Sequence, residues 1–200
     1  MLNRTCSLIV LALLMFSCST SSTEQPNIVF IIADDISWND FGCYGNADVM
    51  TPNIDRLARE GLKFNNVYLT ASSCSPSRTS IISGRYPHNT GAAELHTPLP
   101  EHLTPFPLQL KEAGYFTAAS GKWHMGEAAK RAFDTLTITN FGPGGEKHWL
   151  NMVKERPDGK PFFLWLAAID AHRDWSADTI PDPHDPAGLS VPVGLADMEE

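Results

Sequence analysis

Three buried-strand patterns, each released into polar residues of a different kind, constrain this chain more than any other feature. Asn27-Ile28-Val29-Phe30-Ile31-Ile32-Ala33 is a continuous apolar run rich in β-branched residues, and it ends in Asp34-Asp35. Tyr115-Phe116-Thr117-Ala118-Ala119-Ser120 delivers Gly121-Lys122-Trp123-His124, and the run over 161–169 releases Asp170-Ala171-His172-Arg173. Apolar runs of this length and flanking chemistry read as strands buried on both faces, which is the habit of parallel sheets. Packing alone gives no reason for the repeated polar endings. An α/β fold with a largely parallel sheet does, because open sheets of that class hold ligands in a crevice at the carboxyl ends of their strands.

The helices are read from their punctuation. Over 51–61, Thr51 caps, Pro52 begins, Ile54, Leu57 and Ala58 form a packing face, and Gly61 ends the helix. Residues 62–69 follow as a further strand, 108–113 as a short helix stopped by Gly114, and 146–155 as a helix with Trp149, Leu150 and Val153 on one side. The proline-rich 98–107 is expected to run over the surface, and 128–145, with Gly142-Pro143-Gly144-Gly145, to be a loop. His88 and His96 fall in turn-forming sequence and are read as loop residues.

The chemistry concentrates in Cys74-Ser75-Pro76-Ser77-Arg78-Thr79-Ser80-Ile81-Ile82-Ser83-Gly84-Arg85. Ser75 is placed to cap a helix, Pro76 to occupy its first turn and Gly84 to end it in the left-handed conformation. Cys74 then sits at a helix N-terminus, where backbone N–H groups, the helix dipole and Arg78 favour negative charge. Lys122 can neutralise an anionic oxygen, and His124 can hydrogen-bond to a nucleophile or a leaving oxygen. Trp123, alternating between them, is a packing residue. Asp34 and Asp35 would repel each other if buried unpaired, so a bound cation is their natural solution.

Cys74-Ser75-Pro76-Ser77-Arg78 with the following Gly84-Arg85 resembles the signature of the type I sulfatases, and Gly121-Lys122-Trp123-His124 resembles a second motif of that family. The resemblance implies an alkaline-phosphatase-like α/β sandwich. It also implies that Cys74 is oxidised to formylglycine by a formylglycine-generating enzyme, and that the hydrated aldehyde attacks the sulfur of a sulfate ester. Catalytic roles then fall to Cys74, Arg78, Lys122 and His124. Sulfate contacts fall to Lys122 and His172, with Asp170 and Arg173 in support. Metal ligation, to calcium or sometimes magnesium, falls to Asp34, Asp35 and the modified Cys74. The substrate class would be a sulfated small molecule or glycan, since the Cys74 stretch and Glu94-Leu95-His96 are faintly similar to sulfatases acting on sulfated sugars.

The resemblance covers most of residues 26 to 176, and the later family ligand pair, an Asp followed by Asn or Gln, is not found in this sequence. Residues 26–200 are therefore expected to be the N-terminal portion of a sulfatase catalytic domain, the front of a longer protein. Two alternatives stay open: a phosphate mono- or diester hydrolase of the same superfamily, and a non-catalytic lipoprotein.

Residues 1–25 read as an export signal and tether, with Arg4, an apolar run over 8–16 too short to span a bilayer, and Ser17-Cys18 before a Ser/Thr-rich stretch. Cys18 resembles the lipidated cysteine of a bacterial lipoprotein, which implies a periplasmic or cell-envelope location, with plain secretion as the alternative. Cys43 is expected to be a buried free thiol. The formal charge of -8 argues against nucleic acid as a partner.

Overall fold

The structure, a computed structural model, describes residues 24–139 and 145–172. The leader with Cys18, the Pro143 turn, Arg173 and the C-terminal segment lie outside the described residues.

Among the described residues, four strands form one parallel sheet: β1 (Ile28–Ile32), β2 (Phe116–Lys122), β3 (Thr135–Thr139) and β4 (Phe162–Ala167), in the order β1-β4-β2-β3. The hydrophobic pattern that predicts a fully buried strand is met most fully by β4, which alternates between two cores. Phe163, Trp165 and Ala167 enter one core with Ile82, Leu103, Trp123 and Phe133; Phe162, Leu164 and Leu166 enter the other with Ala118 and Met152. The second core is roofed by α4 (Glu146–Lys154), through Met152, Trp149 and Val153. Leu150, expected on that face, is exposed.

β1 departs from the expectation of burial on both faces. Ile28, Phe30 and Ile32 pack into the first core, whereas Val29 and Ile31 are 50% and 56% exposed. The reason is position: β1 is an edge of the sheet, with β4 as its one described neighbour, and α4 packs against β2 instead. The neighbouring α1 (Pro52–Glu60) has its predicted limits but a largely uncovered face, with Leu57 exposed. Thr51, the expected cap, instead accepts a hydrogen bond from the Gly42 N–H and donates to Asp55, both at 2.9 Å. Residues 62–69 form no strand, and Leu62, Phe64, Val67, Tyr68 and Leu69 stand exposed; a strand needs a partner, and the described residues provide none.

Two further expectations are corrected. The segment 98–107 is no surface excursion: Leu99, Leu103, Pro105 and Pro107 are buried, and the Leu99 N–H donates to Met125 O at 3.0 Å. The close approach at Gly126 depends on the missing side chain, since a Cβ there would stand 2.3 Å from Pro98 Cβ. The region 128–145 contains β3, whose Thr135-Leu136-Thr137-Ile138-Thr139 alternation had been masked by the following glycines. Cys43 is half-buried, and no disulfide joins the described cysteines.

Candidate active site

The carboxyl ends of β1, β2 and β4 do converge. The Ala171 N–H donates to Asp34 O at 3.0 Å, tying the residues after β4 to those after β1. Helix α2 (Cys74–Ser83) begins two residues earlier than its proline suggests, with Ser73 as N-cap and Cys74 as its first residue. Pro76 still lies in the first turn, where its absent N–H is tolerated. Gly84 closes the helix at φ 66°, as its sequence position predicts. Ser75 is drawn inside the helix and fully buried, and its Oγ accepts from the His96 N–H at 2.7 Å.

One turn beyond the half-buried Cys74, Arg78 reaches into the sheet end. Its Nη1 donates to Lys122 O at 2.9 Å, and its Nη2 to Asp34 Oδ1 at 3.3 Å. Lys122 Nζ pairs with Asp34 Oδ2. All three residues are buried, with Arg78 2%, Lys122 4% and Asp34 5% exposed. Two buried cations thus share one buried carboxylate. Uncompensated positive charge is costly to bury, so this cluster is suited to an added anion. Burial pushes the Arg78 pKa down from its ordinary value, opposed by Asp34 and, more weakly, by Cys74.

His124 follows Lys122 on the half-buried rim. Burial, then Lys122, His96 and Arg78, hold its pKa below the usual imidazole value, so the ring is neutral near neutral pH. Its Nε2 lies 3.2 Å from His96 Nδ1. His96 is the site residue that sequence reasoning missed, because its turn context outweighed the one available signal, its place in Glu94-Leu95-His96. His172 Nε2 lies 3.9 Å from Asp35 Oδ2, and Trp123 packs edge-on against Phe133 as expected. His88 stacks on Tyr86 away from this group. Asp35, His96 and His124 are held at φ 53°, 66° and 55°, and no other described non-glycine residue has positive φ. Strain concentrated in this way marks functional sites.

A divalent cation is less well provided for. Both Asp34 oxygens are already engaged by Arg78 and Lys122, and no group of three potential metal ligands occurs among the described residues. Calcium takes about 6–8 oxygens, so the described residues alone do not make its cage.

Residues 26–148 match the family described as Sulfatase. The chain belongs to the sulfatase family. Among its relatives, an N-acetylglucosamine-6-O-sulfatase of Bacteroides thetaiotaomicron is 31% identical over 82% of this chain and 34% of that protein. The human N-acetylgalactosamine-6-sulfatase is 38% identical over 78% of this chain and 31% of its own length. A solved structure in complex with its substrate D-glucosamine-2-N,6-O-disulfate superposes with TM-score 0.70 and 29% identity, covering 76% of this chain and 36% of that one. The chain therefore spans about a third of the length of these sulfatases. The alkaline-phosphatase-like sandwich expected from the motifs is the fold of these neighbours.

Proposed function

We propose that this chain carries the nucleophile and sulfate-binding half of an exported sulfatase acting on a sulfated carbohydrate, with Cys74 as the formylglycine precursor. The carrying observation is the buried surplus of positive charge, Arg78 and Lys122 against Asp34, one helical turn from a half-buried cysteine. Relatives that act on 6-sulfated N-acetylhexosamines, and the disulfated glucosamine bound by one neighbour, support the carbohydrate class.

Cys74 suits the modification: it is half-buried and opens a helix whose N–H groups and dipole favour anionic oxygen. When installed, formylglycine supplies a hydrated aldehyde whose one hydroxyl attacks sulfur and whose other helps to release sulfate. The chain's own residues bind and orient. Arg78 and Lys122 hold the sulfate group and oppose charge developing on it, a contribution of the oxyanion-hole kind. His124, neutral, stands by as a hydrogen-bonding group for a hydroxyl or ester oxygen, and His172 adds a donor from the end of β4. Asp34 and Asp35 are the carboxylates that would face a calcium or magnesium ion.

Peptide mass spectrometry across Cys74, on protein co-produced with a formylglycine-generating enzyme, tests the reading. A loss of about 18 Da, thiol to aldehyde, is the expected result. An unmodified thiol removes the sulfatase mechanism from this chain. Modification together with release of phosphate but not sulfate from matched sugar esters would transfer the reading to the phosphate-ester hydrolases. The metal has a separate test, since a calcium-dependent rise in Tm that Asp35→Asn abolishes is expected only of a cation site. Export with a lipid at Cys18 is part of the proposal, and incorporation of labelled fatty acid that Cys18→Ser removes would support it.

A further inference from the structure

His96 and His124 are brought together by two different anchors. The His96 backbone is held by Ser75, the neighbour of Cys74, through the 2.7 Å bond to its buried hydroxyl. His124 stands two residues beyond β2. Their rings meet edge-on, with centroids 4.9 Å apart and an interplanar angle of 70°. Both backbones are in the left-handed region, at 66° and 55°. That conformation is unfavourable for histidine, and the protein tolerates it twice to make one contact.

The second ring nitrogen of His124 decides what the contact does. Among the described residues, His124 Nδ1 is buried without a hydrogen-bond partner. A neutral imidazole carries its proton on one nitrogen and a lone pair on the other. Placing the proton on Nδ1 would bury an N–H donor with nothing to receive it. Placing it on Nε2 lets it bond to His96 and leaves only an unfilled acceptor, the smaller penalty. Burial and the neighbouring cations Lys122 and Arg78, only partly opposed by Asp34, disfavour a second proton on the ring.

We infer that His96 is a positioning residue whose Nδ1 accepts the Nε2–H of His124, locking that tautomer and leaving Nδ1 of His124 as the ring's acceptor. The inference rests on the proposed role of His124 and deepens it. An acceptor nitrogen suits a hydroxyl of the nucleophile. It does not suit protonation of a leaving oxygen, which needs a donor. His96 thereby fixes which ring nitrogen of His124 can accept a hydrogen bond.

The test is ring-nitrogen NMR on the full chain labelled with 15N-histidine, with His124→Gln assigning the signal. Wild type is expected to show His124 as the Nε2–H tautomer at neutral pH. His96→Gly relaxes the strained backbone and removes the acceptor, and it should shift the tautomer ratio about five-fold or more, the equivalent of one ordinary hydrogen bond. His96→Asn tolerates positive φ and places an amide oxygen near the lost Nδ1, so it should restore most of the preference. An Nδ1–H tautomer in wild type overturns the inference, whether or not the variants fold. An unchanged ratio in His96→Gly, with native dispersion retained, also overturns it, leaving His96 a structural role. The readout uses neither formylglycine nor a sulfate ester, so failure of the sulfatase reading would register at Cys74 and leave this result standing.

Discussion

The two sides of the sheet differ in how completely they are built. On the side of β2 and β4, strands are covered on both faces, and they position Lys122 and His124, with Arg78 delivered by a buried helix. On the side of β1, Val29 and Ile31 face outward, α1 exposes Leu57, and residues 62–69 expose five large apolar side chains. The residues proposed to bind the anion belong to the first side; Asp34 and Asp35, the carboxylates proposed for a metal, hang from the second. Asp34 alone is captured by the finished side, through its two cations, while the Asp35 side chain is 62% exposed. The lesson is that the proposed sulfate contacts are assembled from locally complete structure, whereas the carboxylates proposed for a metal hang from the part of the sheet that the described residues leave open.

The contrast can be broken most directly by mutating the same kind of residue on each side. Phe163, 1% exposed between Phe106 and Phe133, should cost about 3–5 kcal/mol when replaced by alanine. Ile31→Thr on the outward face of β1 should cost less than about 1 kcal/mol. Urea unfolding midpoints at constant m-value compare them. Equal losses would mean that the outer face of β1 is covered in solution and that the two sides do not differ.

The carboxylates give the next effect. Asp34→Asn leaves Arg78 and Lys122 buried without their counter-charge and should destabilise by about 3 kcal/mol or more. Asp35→Asn, at an exposed position with a histidine 3.9 Å away, should change stability by about 0.5 kcal/mol or less. A large loss from Asp35→Asn instead would show that both carboxylates belong to the packed half.

Binding of inorganic sulfate sharpens the same point without requiring turnover. Sulfate should raise Tm through the Arg78 and Lys122 site as well as through its general exclusion from protein surfaces. Only the first part should vanish in Lys122→Met, with a loss of about 1.5–3 kcal/mol in sulfate affinity for one charge-assisted bond. Identical sulfate responses in both proteins would place the anion elsewhere.

How much of this was legible in the sequence follows the same division. β4, β2 and the helix ends at Gly84 and Gly114 were readable because local pattern and tertiary environment agree there, whereas the start at Cys74 lies two residues before the one its proline suggests. β1 read as doubly buried since an apolar run records the environment a strand is suited to, not whether its cover is among the described residues. The strand expected over 62–69 failed for that reason too. β3 was overlooked although Thr135 to Thr139 alternate cleanly, because turn residues nearby dominated the reading. Cys74, Arg78, Lys122 and His124 are singled out as candidates by their motifs. His96 is not, since its partner lies 28 residues away and only the fold brings Nδ1 to Nε2.

The smallest effect concerns an ion pair far from the crevice, which anchors the finished half at its other end. Burial raises the Asp134 pKa, but the Thr117 N–H at 2.9 Å, Lys111 Nζ at 2.9 Å and the Thr117 hydroxyl at 3.2 Å together outweigh it and leave the carboxyl below its usual range. A carboxyl depressed on folding contributes stability above its unfolded pKa and loses it as pH falls through the folded value. Both side chains of the Lys111 pair are about one-third exposed, 33% and 34%, so screening limits the contribution to under about 1 kcal/mol. Asp134→Asn should therefore separate from wild type at neutral pH by that amount. The two unfolding curves should converge in acid, once the pH has fallen through the depressed folded pKa and the wild-type carboxyl is protonated as well. A difference that persists there would mean that Asp134 acts through the Thr117 hydrogen bonds as a neutral group and that its charge does not help to hold α3 (Phe106–Glu112) to the sheet.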